Sequence, residues 1–94
     1  MKLTHEIEET KGYFQYLEGE EIAAYLSYSR AGEDLIIIDH TDVKPSYKGQ
    51  GLGKKLVYEA VDYARKNKIK IMPICPYATS VFQKEEGIRD VLRN

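Results

Sequence analysis

Residues 35–67 leave this chain few ways to fold, because an apolar run, a proline, three alternating glycines and an amphipathic helix follow one another there. Leu35, Ile36, Ile37 and Ile38 form an unbroken run rich in β-branched residues, which predicts a strand buried on both faces. Pro45 has no amide proton to give to a sheet ladder, so pairing is expected to stop at about Lys44. From Gly51 on, Leu52, Leu56, Val57, Ala60, Val61 and Ala64 recur at helical spacing. Lys54, Lys55, Glu59, Asp62, Arg65 and Lys66 take the opposite side, with Lys55/Glu59 and Asp62/Lys66 at i,i+4. The first turn of this helix is built from glycines.

Glycine in a helical turn costs roughly 1 kcal/mol relative to alanine, so Gly49, Gly51 and Gly53 call for a reason. A backbone without Cβ atoms lets another group approach closely. The first amides of a helix also lack internal acceptors and sit at the positive end of its dipole. With Lys48, Lys54 and Lys55 alongside, the turn points to an anion, a phosphate or pyrophosphate. The plainer alternative is a tight strand-to-helix turn at positive φ, with lysines that are simply solvated. Two familiar phosphate turns do not fit. A P-loop needs four residues between its glycines and Ser or Thr after Gly-Lys, whereas Gly53-Lys54 is followed by Lys55. A dinucleotide turn needs G-x-G-x-x-G within repeated βαβ units, and the spacing here is G-x-G-x-G with room for one unit.

The rest of the chain frames this stretch. Its 94 residues suit one domain, 1–94. A net charge of −1 argues against a nucleic-acid binder that works through bulk positive charge. Cys75 is the single cysteine, which excludes an internal disulfide and a cysteine-rich zinc site and suits a reducing compartment. No metal site is expected. The first ten residues carry no apolar segment of a leader and no run approaches membrane-spanning length, so a cytoplasmic protein without membrane contact is expected. Residues 4–43 predict four short-looped antiparallel strands: Thr4 to Thr10 as a charged edge, Tyr13 to Glu18, Ile22 to Ser29, and the central strand. Lys11-Gly12 is expected as the first turn. Tyr13, Tyr16, Tyr25 and Tyr28 are expected as sheet residues rather than a base-stacking surface. Lys68 to Ile74 predicts a fifth strand, parallel to the central one through a right-handed crossover. Pro73 and Pro76 at its end remove two donors and should open a notch between the parallel strands, a usual ligand site. Ala78 to Glu86 predicts a second helix with Gly87 as its cap. The fold class is therefore α/β (α+β), a mixed and mostly antiparallel five-stranded sheet in the order β-β-β-β-α-β-α.

The run Val43-Lys-Pro45-Ser-Tyr47-Lys48-Gly49-Gln50-Gly51-Leu52-Gly53 resembles the acetyl-CoA signature of the GNAT N-acyltransferase superfamily, V-x-P-x-[YFL]-[RQ]-x-x-G-x-[GA]. Lys48 stands where Arg or Gln is commonest. The resemblance implies that acetyl-CoA or CoA is the co-substrate, with amides from about Gln50 to Lys54 around its pyrophosphate. Val43, Lys48, Gly49, Gln50, Gly51, Leu52, Gly53, Lys54 and Phe82 would then be cofactor-binding, with backbone near Val43 holding the pantetheine arm. Ala78 to Ile88 resembles a second segment of that family, A-x-x-L-Y-E-K-x-G-F, with one extra residue before the glycine. Phe82 falls where many members carry a tyrosine thought to protonate the leaving thiolate, so the usual hydroxyl is absent there.

Cys75 is one replacement for that acid, since a thiol beside helix amides can act as a nucleophile or proton shuttle. The competing role is a small buried hydrophobe. Tyr77 is a weaker substitute among eight tyrosines. His40, three residues before Val43, is the candidate base, because imidazole accepts protons near neutral pH. Strand alternation sends Asp39 and Thr41 to the face opposite His40, unless a bulge changes the parity. The competing role for His40 is a structural one.

The family pattern covers roughly residues 22–88. Members of this superfamily usually carry one or two helices between the first two strands and further strands after the last helix. The turn expected at Lys11-Gly12 leaves no room for the former, so a minimal, stand-alone member with an open acceptor groove is expected. Such a groove suits a protein amine, a small amine, or a wall supplied by a second copy in a homodimer. The expected activity is acetyl transfer from acetyl-CoA to a primary amine by direct attack. The alternatives are a non-catalytic acyl-CoA-binding sensor and a phosphate or nucleotide binder without a CoA role.

Overall fold

Four antiparallel strands precede a single crossover. In chain order the elements are β1 (Lys2–Ile7), β2 (Lys11–Glu18), β3 (Glu21–Arg30), β4 (Leu35–Val43), α1 (Leu52–Asn67), β5 (Lys70–Pro73) and α2 (Pro76–Lys84). Short 3₁₀ turns at Pro45–Tyr47 and Glu86–Val91 complete the computed structural model, which describes residues 1–93. The strands lie in the sheet in chain order, β1 to β4 antiparallel and β4 to β5 parallel. This is the mixed α/β sheet expected from the sequence.

The helices share one face of that sheet. Leu52, Leu56, Val57, Ala60, Val61 and Ala64, the stripe read from the sequence, are the buried side of α1. They pack with Phe14, Ala24, Leu26, Tyr28, Ile36, Ile38 and Ile71 from the strands and Ala78, Val81 and Phe82 from α2. Among the described residues no helix covers the opposite face. On that face Leu35 is buried but Tyr25, Ser27 and Ile37 are only half-buried, so the central strand expected to be buried on both faces is fully so only on its helix side, at Ile36 and Ile38.

One irregularity decides which β4 side chains face the helices. Tyr28 pairs with Ile38 but Ser27 pairs with His40, so Asp39 is an extra residue in β4, a β-bulge. Ile36 and Ile38 point toward α1. Past the bulge, Thr41 and Val43 share that face with their partners Leu26 and Ala24, while His40 and Asp42 turn to the uncovered one. Asp39 is held by the Ser29 hydroxyl, which donates to its carboxylate at 2.6 Å.

Several expected boundaries move. β1 is Lys2–Ile7 rather than Thr4 to Thr10, and the turn lies between Glu8, whose N–H donates to Lys11 O at 2.8 Å, and Lys11. Lys11 and Gly12 belong to β2. Gly12 is there because the Tyr28 ring lies across it, where a Cβ would stand 2.3 Å from ring and hydroxyl atoms. β5 begins at Lys70 rather than Lys68, because Lys68 closes α1 in the left-handed conformation (φ 56°) and Ile69 N–H bonds back to Ala64 O. α2 is Pro76–Lys84 rather than Ala78 to Glu86, since Pro76 serves as its first residue with Cys75 as its cap. Glu85, not Gly87, ends α2, and Gly87 lies inside the following 3₁₀ turn.

A polar cluster sits beneath β1 and β2. The fully buried Tyr28 hydroxyl and His5 Nε2 share a hydrogen bond at 2.7 Å, and the His5 ring stacks on Phe14 at 3.9 Å. Burial, and then the adjacent Tyr63, push the Tyr28 hydroxyl up to about 12. Burial also lowers the His5 imidazole, with Glu6 partly opposing it. The folded protein therefore resists a proton that the unfolded chain accepts, so this contribution is intact above about pH 6.5 and declines as pH falls below it. Melting curves between about pH 7 and pH 5 should show a drop that His5→Gln reduces. Gly12→Ala should destabilise by about 1–3 kcal/mol in urea denaturation, because Tyr28 cannot yield without leaving the core.

Candidate active site

β4 and β5 pair only from Leu35–Lys70 to Ile38–Pro73. Ile38 O then accepts two amides, Ile74 N–H at 3.1 Å and Cys75 N–H at 3.3 Å, and the chain turns into α2. Pro73 has no donor of its own. The bulge at Asp39 bends β4 at the same level. From Asp39 to Val43, the edge of β4 that faced β5 has no strand partner among the described residues.

The gap opens into a cleft of 430 Å³. β4 contributes Thr41, Asp42 and Val43 to its lining, the following turn Tyr47, Lys48, Gly49 and Gly51, α1 Leu52 and Gly53, and α2 Tyr77. At its far end lies the start of α1. Gly51 caps that helix in the left-handed conformation (φ 74°, ψ 20°) with no side chain capping it, and Gly49 is left-handed too (φ 88°). An L-residue in that conformation costs about 1–2 kcal/mol. Lys55 N–H is the first to close on Gly51 O, at 3.0 Å, so the amides of Leu52, Gly53 and Lys54 have no intrahelical acceptor. No acidic residue lies in the first turn, and Lys48 stands exposed beside it. Free amides at the positive end of α1, with Lys48 close by, are the features an anion would use.

Gly53 has a separate reason. The Tyr77 ring packs on it so closely that a Cβ would lie 2.9 Å from ring and hydroxyl atoms. Two glycines thus serve the backbone turn and the third makes room for a side chain. Tyr77 remains 42% exposed, and its hydroxyl is raised, by burial first, with Lys54 opposing.

Of the expected cofactor residues, Val43, Lys48, Gly49, Gly51, Leu52 and Gly53 line the cleft. Gln50 is exposed outside it. The Lys54 ammonium is turned toward Glu85, 3.2 Å away, and lies 5.6 Å from the Tyr58 ring. The Tyr58 hydroxyl donates to the same Glu85 carboxylate. That bond first, and then Lys54, hold Glu85 below the usual carboxylate range. Phe82 is 2% exposed within the core, apart from the cleft lining. Cys75 is 5% exposed; its sulfur accepts from Ala78 N–H at 3.5 Å and its thiol donates to Thr41 Oγ1 at 3.6 Å. His40 is exposed on the uncovered face, its ring 5.8 Å from that of Tyr25. Thr41, Asp42 and Tyr47 were not singled out from the sequence. Thr41 was legible only with knowledge of the bulge, whereas Tyr47 lies inside the motif itself.

Residues 12–91 match the family model of the GCN5-related N-acetyl-transferases. The chain is 31% identical over 61 residues to Protein NATD1 of Gallus gallus, across 65% of this chain and 56% of that protein. The solution structure of a GCN5-like protein from Staphylococcus aureus is similar with a TM-score of 0.72 and 34% identity, covering 98% of this chain and 89% of that one. A Bacillus anthracis protein crystallised in complex with acetyl coenzyme A shares the fold, with a TM-score of 0.61, 18% identity, and coverage of 82% of this chain and 47% of that one. The family match runs through β2 to the last 3₁₀ turn and takes in both the glycine turn and the parted strands; on that extent, the chain belongs to the GCN5-related N-acetyltransferase (GNAT) family.

Proposed function

We propose that this chain transfers an acetyl group from acetyl-CoA to a primary amine. One observation carries the reading: the unpaired edge of β4 leads directly to the uncapped start of α1. A ligand with an extended, amide-bearing arm and a pyrophosphate fits both at once. The arm adds to the β4 edge as a short strand, and the pyrophosphate rests on the amides of Leu52, Gly53 and Lys54. A cleft of 430 Å³ lies within the range of small-molecule sites. Lys48 adds positive charge, and Val43 and Leu52 supply apolar contact.

In this reading the amine arrives from the uncovered face of the sheet and attacks the thioester directly. A backbone amide near Val43 steadies the oxyanion. His40, on the face from which the amine comes, takes the proton released by nitrogen. Cys75, behind the cleft, is the source of the proton that the departing sulfur requires. Phe82 supports the notch from within the core. The open face admits a small amine or a side chain of another protein.

Titration calorimetry with acetyl-CoA, CoA and ATP tests the site, with CoA and acetyl-CoA expected to bind and ATP not. Thiol release with an amine panel then separates an enzyme from a binding module: bound acetyl-CoA that no amine consumes would reject the transferase reading. Gly51→Val strains the left-handed cap by about 1–3 kcal/mol and crowds the anion seat, so acetyl-CoA affinity should fall at least about tenfold. Cys75→Ala should lower kcat by roughly 10²-fold with acetyl-CoA binding retained.

A further inference from the structure

Cys75 stands one side chain back from the cleft. It is 5% exposed and absent from the cleft wall, whereas Thr41 is part of that wall. The two side chains are in contact, with the Cys75 thiol donating to Thr41 Oγ1 at 3.6 Å. The sulfur in turn accepts from Ala78 N–H at 3.5 Å. A hydroxyl that accepts one hydrogen bond still has its own proton to give, and among the described residues no acceptor takes that proton from Thr41. The groups therefore form a directed row: Ala78 amide, Cys75 sulfur, Thr41 oxygen, cleft.

The bulge puts Thr41 in that row. Asp39 takes up the extra position in β4, so Thr41 pairs with Leu26 and faces the side where Cys75 opens α2. With regular alternation from Ile38, His40 and Asp42 would occupy that side instead. Threonine alone is too weak an acid to protonate a thiolate and remain an alkoxide. Replenished from Cys75 as it donates, it passes a proton without holding charge.

From this geometry we infer that Thr41 relays the Cys75 proton to the departing sulfur of CoA, an inference that rests on the acetyl transfer proposed above. As the tetrahedral adduct collapses, the carbon–sulfur bond breaks and its electron pair stays on the CoA sulfur. The Thr41 O–H proton moves to that sulfur, giving the free thiol, while the Cys75 S–H proton moves to Thr41 Oγ1. The thiolate left on Cys75 faces the Ala78 N–H and regains a proton from solvent after CoA departs. The proton lost by nitrogen goes to His40 or to water. The sum is amine and acetyl-CoA converted to acetamide and CoA.

The test compares Thr41→Val, which removes the hydroxyl, Thr41→Ser, which keeps it, Cys75→Ala, and the Thr41→Val/Cys75→Ala double variant. Calorimetry with acetyl-CoA first establishes that each variant is folded and loaded. Thr41→Val and Cys75→Ala should each lose roughly 10²-fold in kcat, the double variant should lose no more than either alone, and Thr41→Ser should recover most of the wild-type rate. A second readout needs no turnover. The ultraviolet thiolate band of bound CoA, taken as the difference from free protein, should titrate at higher pH in Thr41→Val than in wild type or Thr41→Ser, because a donor to the charged form is gone. Wild-type kcat and an unmoved titration in Thr41→Val overturn the relay, as do losses that multiply in the double variant. A wild-type protein that binds no CoA overturns the acetyltransferase reading itself, and the relay with it.

Discussion

The two amides that Ile38 O accepts, from Ile74 and Cys75, mark the point where a parallel pair of strands comes apart. Before that point β4 and β5 are neighbours in an ordinary ladder; after it β4 continues alone to Val43 and the other strand gives way to α2. An unpaired strand edge is costly only where water cannot reach it. Here the gap opens to solvent, which can satisfy the edge. The glycine turn, Tyr77 and Thr41 acquire their significance from facing this gap.

α2 carries both Cys75 and Tyr77, so the site depends on how that helix is fixed against α1. The ion pair of Lys54 with Glu85 and the bond from Tyr58 lie at the surface, where solvent screens such contacts and leaves them little weight. Ala78, Val81 and Phe82, buried against the α1 stripe, carry more of the load. Phe82, which stands where a catalytic tyrosine would be sought, is one of the side chains that seat the helix and hence the thiol of Cys75 at its cap.

Much of this was readable from residues 35–67, because three local signals coincide there: a β-branched run, a proline that ends it, and a helical stripe that begins at glycine. The topology followed from one crossover and short loops. The bulge was not readable. Asp39, His40, Thr41 and Asp42 are all polar, so inserting one residue leaves no break in an apolar alternation, and whether His40 or Thr41 faces the helices has no sequence signature. Proline and glycine misled in two places for a shared reason. Pro76 marks the end of pairing and equally begins a helix, and Gly12 signals a turn when its real neighbour is Tyr28, sixteen positions away and across a strand pair. Residues whose role is to leave room can be interpreted only once the occupant is known.

The C-terminal segment bears on assembly. Leu92 forms a parallel bridge with Ile71, and Arg93 N–H donates to Ile71 O at 2.8 Å, so the outer margin of β5 is already partly occupied. β1 is left as the long bare margin, with Ile7 more than half exposed at its end. A strand added at the β5 margin would first have to displace Leu92 and Arg93 from Ile71, whereas among the described residues nothing comparable lies along β1.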